Sequence, residues 1–297
     1  DHFLEKTGSK RRFIDQHHNC FHVGRMAEAL HISRSSYYAF RNRPISRREE
    51  ENQVLFGKIK VVHQQFRQVY GSPRMTKELN EQGFACSRNR VARLMKESGI
   101  VARTKHKFKV TTVSKHHFPV APNLLGQSFT ADYPNRVWAS DITYIPTGEG
   151  WLYLAMVKDI HSKSIVGWAM RDNLQRELVI DAFKQAVMRR RPLPGLIFHS
   201  DRGVQYACTD FRDLLREHNA VQSMSGKGNC YDNAISESFF GTLKTELVYL
   251  SRFTTRSEAK AAIFDYIEVF YNRQRRHSAL GYLSPAEFER CFYLKCA

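Results

Sequence analysis

Three acidic residues in the second half of the chain are placed where they could share one site. Asp141 lies inside the strand-like segment VWASDITYI, Asp201 follows the apolar segment LIFHS, and Glu237 lies early in the helix-like segment AISESFFGTLKTE. A carboxylate inside a strand is costly unless it is paired or binds a metal ion. The spacing is Asp-x59-Asp-x35-Glu. One residue lies in a strand, the next directly after a strand, and the third in a first helical turn. This arrangement favours a shared site over three unrelated surface acids.

Three carboxylates at one site favour divalent cations, because neighbouring negative charges raise one another's pKa. Ligands that are all oxygen favour Mg²⁺ or Mn²⁺, which also bind substrate phosphates. Two such ions, roughly 3.5–4 Å apart, support an in-line displacement at phosphorus. We expect Asp141 to bridge both ions and Asp201 and Glu237 to bind one each.

A lysine on the Glu237 helix adds a basic group to this predicted site. Lys244 follows Glu237 by seven residues, so the two share one helix face, with Gly241 between them where a substrate backbone could approach. We expect Lys244 to hold a DNA phosphate rather than to act as a base. The two-ion mechanism needs no serine or tyrosine nucleophile, so no covalent protein–DNA intermediate is expected.

The elements that must position these residues begin after Pro134. Three strand patterns separated by turns come first, and then strands and helices alternate up to the Glu237 helix. The predicted strands are Val137–Ile145, Trp151–Asp159, Ser164–Met170, Gly195–Ser200 and Ala220–Ser223, and the predicted helices between them are Arg176–Arg190 and Thr209–His218. This is the order of a ribonuclease-H-like α/β fold with a mixed five-stranded sheet. In such a sheet the first and fourth strands are neighbours, so Asp141 and Asp201 would meet beneath the Glu237 helix.

Residues 46–103 predict an all-α helix-turn-helix domain. A long helix is followed by a turn in which Ser72 is the expected N-cap and Pro73 the first helical residue. Ser87 is the expected N-cap of the third helix, which Gly99 ends. The outward residues near the start of that helix include Arg88, Arg90 and Arg93. A recognition helix presents such side chains to a major groove, whereas the alternative is a solvated basic face.

Other basic residues are candidate DNA contacts, and for some of them a purely structural role fits the sequence equally well. Residues 1–45 predict a helix over Val23–Leu30, a turn, and a second helix capped by Ser33, which fits either half of a helix-turn-helix unit or a simple helical hairpin. Lys227 lies in the glycine-containing loop before the Glu237 helix. Near the C-terminus, Arg273, Arg275 and Arg276 either contact DNA phosphates or stabilise the end of a helix through its dipole.

The distribution of charge supports this division of the chain. Residues 1–120 carry 24 Lys and Arg against 10 Asp and Glu, whereas residues 121–297 carry 22 against 19. A basic N-terminal part predicts a polyanion partner. The predicted domains are a helical segment (1–45), the helix-turn-helix domain (46–103), a basic linker (104–130), the catalytic core (131–250) and a C-terminal helix with a basic tail (251–297).

Cysteine spacing and hydropathy predict the compartment. The six cysteines include no CxxC pair, which predicts reduced thiols in a cytoplasmic, nucleoid-associated protein. No apolar run is long enough to span a membrane. The chain begins at Asp1 rather than at Met, which predicts a fragment or the downstream part of a longer product.

Several segments together resemble one known family. WASDITYI, HSDRGVQY, SMSGKGNCYDNAISESFFGTLKTE and YNRQRRHSALGYLSP are similar to the catalytic part of bacterial insertion-sequence transposases with a retroviral-integrase-like core, and YGSPRMTKEL resembles their helix-turn-helix segment. The resemblance implies that Asp141, Asp201 and Glu237 are the metal-binding triad and Lys244 the accompanying basic residue. It also implies cleavage at a transposon end and strand transfer by the freed 3′-hydroxyl to target DNA. The expected assembly is a homo-oligomer that holds two double-stranded DNA ends.

Two other functions fit parts of the sequence. The first is a nuclease of the same fold that only hydrolyses DNA. The additional N-terminal helices and the basic tail argue against this function. The second is a non-catalytic DNA-binding regulator, against which the intact Asp141, Asp201 and Glu237 argue, because a pure DNA-binding protein gains nothing from clustered carboxylates.

Overall fold

The computed structural model describes residues 7–42, 46–103, 119–126, 130–226 and 234–296. They form two compact units, Asp1–Lys58 and Ile59–Ala297, which are described separately. The division falls within a helix, whereas the sequence placed a domain boundary between residues 45 and 46. Most of the predicted linker (104–130) and the whole loop segment 227–233, with Lys227, lie outside the described residues.

The first unit is helical. Its helices are α1 (Thr7–His17), α2 (Val23–Ala29), α3 (Arg34–Arg41) and the start of α4 (Arg47–Gln65). Ile14, Met26 and Tyr37 form a small core between the first three helices. The Ser33 side chain accepts a hydrogen bond from the Ser36 backbone N–H at 3.1 Å. The predicted N-cap and the two short helices on either side of the turn are therefore confirmed.

In the second unit, two helices follow the end of α4. They are α5 (Ser72–Glu81) and α6 (Arg88–Glu97). Ser87 caps α6 as predicted, with its side chain accepting from the Arg90 N–H at 3.3 Å. The prediction for α5 was wrong by one residue, because Gly71 is the N-cap and Ser72 is already helical. The Ser72 carbonyl accepts a hydrogen bond from the Thr76 hydroxyl, which is a contact inside the helix.

Five strands form one mixed sheet in the order β3-β2-β1-β4-β5. They are β1 (Val137–Thr147), β2 (Gly150–Asp159), β3 (Ile165–Arg171), β4 (Ile197–Ser200) and β5 (Val221–Met224). β1 pairs antiparallel with β2 and β2 with β3, whereas β4 runs parallel to both β1 and β5. The predicted ribonuclease-H-like topology, with the first and fourth strands as neighbours, is confirmed.

Helices α7 (Glu177–Arg190), α8 (Val204–Ala207) and α9 (Thr209–Glu217) surround an aromatic core on the sheet. Phe183 of α7 has edge-to-face contacts with Trp138 and Phe198 on the strands. Gly167 of β3 allows close approach of α7, because a Cβ atom there would overlap the Ala182 carbonyl oxygen. The buried apolar surface of this cluster is what fixes the sheet against its helices.

The C-terminal part joins the sheet to the helix-turn-helix segment. Its elements are α10 (Ala234–Glu246), α11 (Arg256–Asp265), a π-helical turn (Tyr266–Tyr271) and α12 (Pro285–Cys296). Arg276 donates to Glu78 at 2.7 Å and to Glu81 on α5. The Tyr70 hydroxyl donates to the Gln274 carbonyl and accepts from the Arg276 N–H. Helices α5 and α6 are thus tied to the same unit as the sheet. No helix in the described ranges is both long and apolar enough to cross a membrane.

Candidate active site

Asp141 and Asp201 occupy equivalent places on two neighbouring parallel strands. Ala139 of β1 is opposite His199 of β4, and each aspartate follows two residues further along its chain. Both side chains are half-buried. The Asp141 carboxylate accepts from the Ile142 N–H at 2.8 Å, and the Asp201 carboxylate accepts from the Gly203 N–H at 2.9 Å. The fold therefore brings the two carboxylates to one edge of the sheet.

A buried tyrosine lies beside both carboxylates. Tyr206 of α8 is 1% exposed, and its hydroxyl lies 2.8 Å from the Ser140 hydroxyl. Ser140 donates its only proton to the Met156 carbonyl, so Tyr206 is the donor to Ser140. Burial raises the pKa of Tyr206 well above its ordinary value, and the charges of Asp141 and then Asp201 raise it further. Both carboxylates therefore act on one neutral phenol.

Sequence reasoning missed Tyr206. The available signal was its position in HSDRGVQY, where a single helical turn after Asp201 returns an aromatic residue towards the strand end. Its hydroxyl is turned inward to Ser140, which precedes Asp141 in β1. Tyr206 therefore supports β1 at Ser140, the residue before Asp141.

The backbone around Asp201 is fixed by a second buried network. His199 lies in β4, with its Nδ1 2.9 Å from the Ser223 hydroxyl. The Ser225 N–H donates to the Ser200 carbonyl at 3.0 Å, and Arg202 Nε donates to the Ser225 carbonyl at 2.6 Å. These bonds join the chain after β4 to the chain after β5. They restrict the conformations open to the Asp201 carboxylate.

Lys244 lies beside Asp141. Its ammonium group is 5.1 Å from the centre of the Tyr144 ring, a cation–π contact. Burial lowers the pKa of Lys244, and the negative charge of Asp141 opposes that shift. Tyr144 in turn makes an edge-to-face contact with Trp151 at 4.9 Å between ring centres. The cation is thus positioned between an acid of the site and a partly exposed aromatic pair.

Glu237 is exposed in the first turn of α10, the helix that packs across β1. Among the residues that the structure describes, no three Asp, Glu, His or Cys side chains are grouped closely enough to hold a metal ion. The segment that leads into α10, residues 227–233, lies outside the described ranges. The structure thus brings Asp141, Asp201 and Lys244 together and leaves Glu237 at the start of the adjoining helix.

The chemistry of the available ligands fits a hard divalent cation. Asp141 and Asp201 supply carboxylate oxygens at the end of the sheet, and Glu237 is the carboxylate of α10 that faces solvent. Mg²⁺ and Mn²⁺ prefer such oxygen ligands and are held by a few carboxylates together with substrate phosphates. Carboxylates brought near one another favour a bound cation, because like charges raise one another's pKa.

The predicted DNA contacts outside this site differ in exposure. Arg88 and Arg93 are exposed on α6, Arg90 is half-buried there, and Arg273 is exposed. Arg275 and Arg276 are instead only 5% and 7% exposed.

Carboxylates inside the protein hold both buried arginines. Arg275 donates to both carboxylate oxygens of Glu246, and Arg276 to Glu78 and Glu81. Buried ion pairs of this kind have no charge left to offer DNA. Arg273 is the exposed member of the C-terminal arginine cluster.

Comparison with known proteins identifies the family. Residues 49–108 match a family model described as an HTH-like domain, and residues 131–230 and 237–291 match two models that are each described as an integrase core domain. The chain is 47% identical over 272 residues to the insertion element IS600 uncharacterized 31 kDa protein of Shigella sonnei, with 92% of this chain and 100% of that protein covered. It is 41% identical over 279 residues to the transposase InsF for insertion sequence IS3A of Escherichia coli (strain K12), with 93% and 97% covered.

A solved structure of the simian T-cell lymphotropic virus intasome in complex with a PP2A regulatory subunit is also similar, with a TM-score of 0.46 at 14% identity over 78% of this chain and 74% of that chain. The sequence relatives are the stronger finding, because they are similar along almost the whole chain. With an HTH-like domain followed by an integrase core, this chain belongs to the family of insertion-sequence transposases that includes InsF, whose members are DDE-type polynucleotidyl transferases.

Proposed function

We propose that this transposase cuts DNA at the ends of its element and joins the freed 3′-hydroxyl to target DNA at a site built from Asp141, Asp201 and Glu237. The observation that carries the proposal is the pair of half-buried carboxylates on neighbouring parallel strands, both acting on Tyr206. The helix that carries Glu237 packs across β1, and Glu237 would supply the third carboxylate.

The three carboxylates would hold two Mg²⁺ or Mn²⁺ ions, with Asp141 shared between the ions and Asp201 and Glu237 on one each. When bound, the ions would activate the attacking oxygen and stabilise the leaving oxygen at phosphorus. The network of Ser140 and Tyr206 supports the Asp141 strand from beneath. One backbone N–H bond to each of Asp141 and Asp201 would help to orient these two carboxylates.

Lys244 would hold a phosphate of the DNA backbone. Its ammonium group lies over the Tyr144 ring and interacts electrostatically with Asp141, which supports this role. A point charge in this place orients the scissile phosphate and contributes to rate by positioning. The conservative variant Lys244→Arg would retain the charge but change its geometry.

DNA would also contact α6 and the C-terminal cluster. Arg88, Arg90 and Arg93 are on the helix that follows the turn of the HTH-like domain, and Arg273 is exposed. Lys227 is a further proposed contact. Two DNA ends must be held at once for strand transfer, so we infer a homo-oligomer, at least a dimer, that acts on the bacterial nucleoid in the cytoplasm. No observation favours hydrolysis alone or regulation without catalysis.

The test is strand transfer by the purified chain with a labelled oligonucleotide of the element's end, in Mn²⁺ and in Mg²⁺. Asp201→Asn is compared with Asp172→Asn, which makes the same change at an exposed residue away from the site. We expect cleavage and joining to fall at least a hundredfold in Asp201→Asn and to persist in Asp172→Asn. Equal activity of the two variants would exclude the proposed metal site, and cleavage without joining by the wild type would favour a nuclease.

A further inference from the structure

A basic pocket lies on a different side of α10 from Lys244. It is a cavity of about 300 Å³ that is bordered by α10, the end of β2, the β2–β3 turn, α5 and the segment after the π-helical turn. Four cations border it, namely Arg74, Lys158, Lys163 and Arg275. All four belong to one compact unit of the chain. The catalytic proposal assigns no role to this cavity.

A carboxylate beside these cations, that of Glu246, is already engaged. Glu246 accepts three bonds from Arg275, at 2.8 to 3.1 Å, and one from the Tyr266 hydroxyl at 2.7 Å. Arg74 lies 3.9 Å from the same carboxylate. Arg74 and Arg275 therefore share the negative charge of Glu246. The cations that border the pocket outnumber this one carboxylate.

Two lysines border the pocket beside these arginines. Lys158 is 4% exposed, and burial lowers its pKa to about 7, with Lys163 and Arg275 lowering it further. Lys163 is half-buried, donates to the Ile160 carbonyl at 2.7 Å, and also has a lowered pKa because of burial, which Asp159 opposes. A phosphate beside these two lysines would favour their charged forms.

The remaining wall supplies neutral hydrogen-bonding groups. The hydroxyls of Ser238, Thr242 and Ser278 line the cavity, and Ser238 and Ser278 are exposed at its opening. His277 also borders it, and its buried Nε2 has no hydrogen-bond partner. Burial and the surrounding cations lower the pKa of His277 far below its usual range, so the ring is neutral. Hydroxyls beside lysine and arginine form a typical environment for phosphate oxygens.

We infer that this pocket binds a phosphate group, held by Arg74, Lys158 and Lys163 with the hydroxyls of α10 at its rim. The phosphate can belong to a DNA backbone or to a free anion, and the pocket chemistry is the same for both. Ser238 directly follows Glu237 in α10, so an occupied pocket would restrain the helix that carries the third carboxylate. The inference goes beyond the catalytic proposal, because binding needs neither metal nor strand transfer.

The experiment is isothermal titration of the full chain with sodium phosphate, without divalent metal, at constant ionic strength set with chloride. The pocket variants are Lys163→Gln and Lys158→Met, and the matched control is Lys184→Gln, which removes an exposed lysine of α7. We expect saturable binding to the wild type and the control and at least tenfold weaker binding to Lys163→Gln and Lys158→Met. Thermal unfolding in chloride alone establishes that each variant is folded.

A competition experiment with DNA identifies the source of the phosphate. If a short DNA duplex weakens phosphate binding tenfold or more, the DNA backbone supplies the group; if phosphate binds equally well to the DNA complex, the ligand is a free anion. The inference is overturned if phosphate gives no saturable binding, or if Lys163→Gln binds it as well as Lys184→Gln does. Because no catalysis is measured, this result is independent of the outcome for Asp201→Asn.

Discussion

Replacing the buried lysine of the basic pocket should stabilise the protein. Lys158 has its pKa lowered from 10.5 to about 7, chiefly by burial and then by Lys163 and Arg275. The unfolded chain holds the ammonium proton up to about pH 10.5, whereas the folded chain holds it only up to about pH 7. Between these values the unfolded state binds more protons, so the free energy of unfolding rises with pH. Lys158→Met keeps most of the length of the side chain and removes this charge.

The size of the effect follows from the pKa difference. At about 1.4 kcal/mol for each unit, burying the ammonium group costs about 5 kcal/mol below pH 6, about 2 kcal/mol at pH 9 and nothing above about pH 11. Losing the polar interactions of Lys158 inside the protein costs about 1 kcal/mol. We therefore expect Lys158→Met to raise the free energy of unfolding by about 4 kcal/mol at pH 6 and by about 1 kcal/mol at pH 9.

Urea unfolding of both proteins at pH 6 and pH 9, in chloride without phosphate, measures this difference. Other groups titrate in the same range, but those that do not interact with Lys158 do so equally in both proteins and cancel in the comparison. A gain at pH 6 that shrinks at pH 9 agrees with a buried ammonium group. A variant that is less stable than the wild type at pH 6, or a difference that does not change with pH, would refute the reasoning.

Two further substitutions test other parts of the structure. Arg276→Ala leaves Glu78 buried without its cation and should lower the free energy of unfolding by about 3–5 kcal/mol. The exposed Arg290→Ala should change it by less than about 0.5 kcal/mol, and equal losses in urea unfolding would contradict the buried pair. Tyr206→Phe removes the donor to Ser140 and should cost about 1 kcal/mol while strand transfer persists. Loss of all joining by a folded Tyr206→Phe would contradict a purely structural role for this hydroxyl.

The sheet was predictable because its signals are local. Strand periodicity and turns predicted β1 to β5 with ends within about two residues, and their order fixed Asp141 and Asp201 on neighbouring strands. The placement of Lys244 beside Asp141 also follows from helix periodicity. The position of Glu237 depends in addition on residues 227–233, which lie outside the described ranges. Its role in the site therefore stays a prediction.

Contacts between distant segments were not predictable. Arg276 and its partner Glu78 are separated by 198 positions, so an arginine-rich segment could be interpreted as a DNA contact although its charge is used inside the protein. Lys158 lies in a strand pattern where a lysine ordinarily faces solvent, and its burial depends on α5, α10 and the C-terminal segment together. The Gly71 cap was missed because a serine before a proline is the commoner cap signal.

The most direct test of the central claim is metal rescue at Asp141. A thiolate is a poor ligand for Mg²⁺ but is accepted by the softer Mn²⁺, so Asp141→Cys should change which ion supports the reaction. We expect strand transfer by Asp141→Cys to be undetectable in Mg²⁺ and to rise at least tenfold above the assay background in Mn²⁺. The exposed Asp172→Cys should behave as wild type in both ions. Wild-type activity of Asp141→Cys in Mg²⁺ would contradict direct binding of a catalytic metal ion by Asp141.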